Sequence, residues 1–96
     1  MIKTYKIAHI NRQGQDIIIV PLESIDSLNH MERCVIGDAL QFFATDAGLK
    51  GNVCLVWQTG DIFKYLAPSL WYSFFGSIDM DFVKANLNRT LTCSYQ

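Results

Sequence analysis

His30, Cys34 and Asp38 recur at intervals of four, so on a helix they stand along one stripe. An imidazole and a thiolate so placed can share a metal ion, and a histidine one turn from a cysteine can take its proton. A tetrahedral zinc site wants four ligands, and no second His/Cys pair accompanies these residues. The spacing therefore reads as a partly exposed polar stripe. His9, just before Asn11 and Arg12, has the chemistry of a general base or an anion ligand beside a polar loop. Its plainer reading is a half-exposed strand residue. Asp79 and Asp81 offer two carboxylates, yet they open an apolar helical run, where capping and the helix dipole account for them. No G-x-S-x-G, phosphate loop or G-x-G-x-x-G occurs, and the glycines of GLKG (48–51) follow a helix, the wrong side for a phosphate cradle. No catalytic residue, metal ligand or cofactor is assigned. An enzyme is the lesser reading.

The strongest signal is the stretch APSLWYSFFG (67–76), which crowds Leu70, Trp71, Tyr72, Phe74 and Phe75 between a proline and a glycine. Pro68 suits a first helical turn and Gly76 a helix end. Over two turns Leu70 meets Phe74 and Trp71 meets Phe75, leaving only Ser69 and Ser73 as a polar side. Such a segment can fill a core, face a second chain, or wall a ligand pocket. With Trp57 and His9, these five residues form the candidate interface or pocket. In the pocket version the ligand lies between the aromatic segment and an uncovered sheet face, and His9, Trp57 and Tyr72 are the first residues to mutate. A base-stacking platform of Tyr5, Trp57, Phe63 and Tyr65 is a third possibility. Few cations surround those rings, so nucleic acid is disfavoured as a partner.

The elements that must position these residues follow from periodicity. Residues 3–10 alternate as a strand, with Tyr5, Ile7 and His9 on one face. Gly14 permits a hairpin connection, and residues 16–22 form a second strand that Pro21 ends. Ile17, Ile18, Ile19 and Val20 make that strand apolar on both faces. A long helix is expected within 25–51. Asp26, Ser27 and Asn29 are candidate N-caps, of which Asn29 with Glu32 resembles a capping box, and Gly48 or Gly51 supplies the stop. Its apolar residues, Met31, Val35, Ile36, Leu40, Phe42 and Phe43 among them, fill an arc of about 180°, wider than the roughly 100° that one sheet face requires. Part of this helix should meet something besides its own sheet. A hairpin over 52–68 follows, with its turn at Thr59-Gly60, and a second helix over 79–91 buries Met80, Val83, Leu87 and Leu91. The tail TCSYQ carries no pattern of its own.

The expected fold is thus α+β: a two-layer sandwich in ββαββα order, with a four-stranded, mainly antiparallel sheet and two helices on one face. Ninety-six residues make one domain, 1–96. Hydrophobic residues are 50% and charged residues 18%, below the ~25% usual in soluble domains. Disorder is excluded, and an apolar excess is left to be covered. A net charge of −1 and scattered cations argue against general attraction to nucleic acid or anionic lipid. Three widely spaced cysteines without a C-x-x-C, no secretory leader pattern and no membrane-length apolar run place the chain in the cytoplasm, away from membranes. The function expected is a small self-associating interaction or regulatory module, its partner a second copy or another protein. A small-molecule binder with an aromatic pocket is the alternative.

Overall fold

The central strands dictate the layering. In the computed structural model, which describes residues 1–94, Ile17–Val20 and Cys54–Trp57 are all buried, so neighbouring side chains that point to opposite faces are both covered. These runs lie in β2 (Gln15–Pro21) and β3 (Asn52–Thr59). They are flanked by β1 (Ile2–Arg12), β4 (Ile62–Leu66) and β5 (Arg89–Ser94) in the order β4-β3-β2-β1-β5. The helices are α1 (His30–Asp46), α2 (Tyr72–Phe75, after a single 3-10 turn over Ser69–Trp71) and α3 (Met80–Ala85).

The α+β class stands; the finer topology differs from expectation in three ways. The sheet has five strands, not four, because residues after Asn88 leave the second helix and become β5, paired antiparallel with β1 from Ile2↔Ser94 to Ile7↔Arg89. It is mixed, because α1 carries the chain back so that β3 runs parallel to β2, with Ile18 opposite Val53. And the helices do not share a face. Ile7, Ile18, Val20, Leu55, Trp57 and Leu91 pack under Leu40 and Ala44 of α1. Ala8, Ile17, Ile19, Cys54 and Val56 pack under Trp71, Phe75, Met80 and Val83. The result is three layers, with no bare sheet centre.

Local chemistry sets the boundaries. Asn29 and Glu32 form the capping box, each side chain accepting from the other's backbone N–H at 2.8 and 3.0 Å. At the far end Gly48 has φ +81°; its N–H donates to Thr45 O and that of Leu49 to Ala44 O, the Schellman arrangement. Asp79 caps α3 by accepting from Phe82 N at 2.9 Å. The β1–β2 turn places Gln13 and Gly14 at φ 55° and 80°, as a type I′ turn requires. Gly51 approaches β2 so closely that an added Cβ would lie 2.5 Å from Asp16 O.

Candidate functional site

The aromatic stretch divides between layers. Trp71 and Phe75 are buried against the sheet, Phe74 is half-buried, and Leu70 and Tyr72 are 61% and 53% exposed. Phe75 stacks on Tyr65 at 5.2 Å, and Phe74 meets Trp71, Phe75 and Phe82 edge-on at 5.3 to 6.0 Å. These rings are the cover of the second sheet face, held by a 3-10 turn and one helical turn after Pro68.

Trp57 and His9 are not brought to that segment. Trp57 belongs to the α1 side, where its Nε1–H donates to Asp26 Oδ1 at 3.0 Å and Arg33 lies 5.3 Å from its ring. His9 pairs with Ile18, which is opposite Val53, four residues short of Trp57. Its Nε2 sits 2.9 Å from Lys50 O, while Asn88 bonds its backbone N–H and C=O at 2.8 Å each, extending the ladder with a side-chain amide. His9 and Trp57 thus lie on the α1 side of the sheet and Tyr72, 6.0 Å from Tyr65, on the other. The four-ring platform also divides: Tyr5 and Trp57 lie on one face, Phe63 and Tyr65 on the other.

Of the polar stripe, Cys34 Sγ and His30 Nε2 are 3.5 Å apart, and no group of three potential metal ligands exists among the described residues. Cys54 is buried, and burial pushes its thiol pKa up to about 12, which leaves it inert at neutral pH. A cluster that sequence reading missed surrounds Asp26. Its carboxylate accepts from Thr59 Oγ1, Trp57 Nε1 and Lys64 Nζ, the last at 3.0 Å. The Thr59, Trp57 and Lys64 hydrogen bonds, in that order, hold its pKa well below the usual carboxylate range, with the Lys64 charge adding to them. Every lone pair has a claim on it, so the cluster pins the 22–29 loop to the β3–β4 hairpin; it does not present a free acid.

The outer face of α1 carries an exposed apolar row. Met31, Val35 and Phe42 recur at helical spacing and are 76%, 63% and 66% exposed. Asp38 is the one charge within their stripe. The expected wide arc is thus resolved: Leu40 and Ala44 go inward, Ile36 and Phe43 lie at the flank, and these three face out. Beside Val35 a groove of about 670 Å³ runs between α1 and the start of β1, with Tyr5, Leu22, Ile25 and Ile36 in its wall. The periodicity held the signal for this surface; the aromatic stretch drew attention from it.

Among the described residues no helix is long and apolar enough to cross a membrane. Comparison of the chain with protein-family models, with curated proteins and with solved structures gives no match.

Proposed function

We propose that the protein is a small interaction module that pairs with a second copy of itself through the outer face of α1. The observation that carries this reading is the exposed Met31–Val35–Phe42 stripe on a chain whose sheet is already covered on both sides. Exposed apolar residues are ordinary singly; three large ones along one helix face, interrupted by Asp38 alone, favour a contact.

Three features favour a second copy over an unrelated partner. The stripe is self-complementary, for across a two-fold axis antiparallel helices set Met31 of each copy against Phe42 of the other. The helix has 17 residues, about 25 Å, and with the groove beside it supplies a strip of the scale that a standard interface of ~800 Å² per partner uses. The last turn of α1 has no basic residue and contains Asp46, an unfavourable charge for the dipole. An antiparallel partner brings its own helix start toward that end.

Sedimentation equilibrium at tens of micromolar tests this, with an expected mass near twice 10.9 kDa. Val35→Glu with Phe42→Glu should give a folded monomer, with the dissociation constant raised at least ~100-fold by charges placed in an apolar contact. A wild-type mass of 10.9 kDa under the same conditions overturns the reading, as does a dimer that the double variant leaves intact.

A further inference from the structure

The other side of the molecule holds a recess of about 350 Å³ between the β1–β2 hairpin and the aromatic segment. Arg12 and Gln15 stand on the hairpin side; Trp71, Ser73, Phe74 and Ser77 make the opposite wall. The volume suits a small organic molecule. No acidic side chain lines it, and Arg12 is the one charged residue in its wall.

One donor in this recess lacks an acceptor, and a second lies sealed behind its wall. Trp71 is 5% exposed, and its Nε1–H is buried with no hydrogen-bond partner. Native proteins seldom leave such a donor unpaired, and the other indole of this chain, Trp57, donates to Asp26. Arg12 is the donor in the recess itself. Its guanidinium lies 5.0 Å from the centroid of the Phe74 ring, and among the described residues no carboxylate pairs with it. A guanidinium steadied on a ring keeps its fork ready for a carboxylate. Ser77 is already engaged, donating to Phe74 O at 2.7 Å, which leaves the Ser73 hydroxyl at the rim.

We infer that this recess binds a small carboxylate with a flat apolar body. Arg12 takes the carboxylate and the body lies along the rings of Trp71 and Phe74, close enough to change the surroundings of the Trp71 indole. The apolar wall selects an organic acid over inorganic phosphate, which offers charge without a body to stack. The site lies on the face opposite the α1 stripe, so it stands or falls independently of self-association.

The test follows the two indole N–H signals in proton–nitrogen NMR spectra as benzoate, benzamide or inorganic phosphate is added, with Trp57→Phe assigning the Trp71 signal. Benzoate should shift Trp71 with a dissociation constant on the order of 1 mM, fitting for a ligand of its size. Trp57 should stay still, and benzamide should bind at least about tenfold more weakly for want of the charge-assisted pair. Arg12→Gln, at an exposed hairpin position, should weaken benzoate by at least about tenfold with the rest of the spectrum preserved. An unmoved Trp71 signal at about 20 mM benzoate, far above the expected constant, overturns the inference. So does an equal response in Arg12→Gln, or a phosphate response as strong as that to benzoate.

Discussion

Asp26 illustrates how one side chain can hold distant segments together. It lies before α1, yet its partners Trp57, Thr59 and Lys64 sit 31 to 38 positions further on. Because those donors favour the charged form, its pKa in the folded chain is below the roughly 3.9 of an unfolded aspartate. The stabilisation is therefore complete above about pH 5 and lost as pH falls through the acid range. Its side chain is 31% exposed, so solvent screens part of the effect. Between pH 6 and pH 3 the wild type should lose more stability than Asp26→Asn, read as the fall in urea midpoint at constant salt. Equal losses would show that the cluster has no part in acid sensitivity. Caps were legible from sequence, since Asn29–Glu32 and Asp79–Phe82 are local pairs fixed by three-residue spacing. The Asp26 cluster was not, because nothing in the order of residues brings 26 beside 57, 59 and 64. His30 and Cys34 were legible as neighbours for the same local reason, and among the described residues no third potential metal ligand joins them.

At the scale of elements, legibility depended on whether one periodicity fitted a segment. β2 and β3 were clear, because four consecutive apolar residues in each suit a strand buried on both faces. Residues 79–94 were ambiguous. Met80, Val83, Leu87 and Leu91 fit a helix, but Leu91 and Cys93 also alternate with Thr90, Thr92 and Ser94. The strand prevails in that second half, since Leu91 and Cys93 are buried while their neighbours face out. Asn86, bonding back to Phe82 O at 2.8 Å, closes the helix before it. Helix α1 carries one avoidable weakness. Gly37 stands in its interior with a helical backbone, and an added Cβ would meet only Leu55 Cδ1, at 3.9 Å. That is ordinary van der Waals contact. Gly37→Ala should therefore stabilise the fold by about 0.5–1 kcal/mol, since glycine gives up more backbone freedom in a helix. The melting temperature should rise by roughly 2–8 °C on that basis. A fall would mean that α1 cannot yield the space beside Leu55.

For the whole molecule, the question is where an apolar excess goes. A two-layer fold leaves one sheet face bare; here α2, α3 and the 3-10 turn cover it from within the chain, and the α1 stripe stays outside, as do Leu70 and Tyr72. The sequence argument found the excess but assigned much of it to the aromatic segment, because composition cannot tell an inward ring from an outward one two residues away. Phe75 separates the two possibilities. It is 1% exposed, stacked on Tyr65 and edge-on to Phe74, so its truncation opens a cavity that this thin layer cannot close. Phe75→Ala should cost about 3–5 kcal/mol, a large share of the ~5–15 kcal/mol available to such a domain. At roughly 4–8 °C per kcal/mol, the melting temperature should fall by at least about 12 °C. Leu70→Ala, five residues earlier and 61% exposed, should stay within about 0.5 kcal/mol. If the segment were instead an interface, Phe75→Ala would lower the sedimenting mass while the protomer kept its stability. A large loss of stability with the mass of the remaining folded protein unchanged places these rings in the core and removes them from the proposed contact, which then rests on the α1 stripe alone.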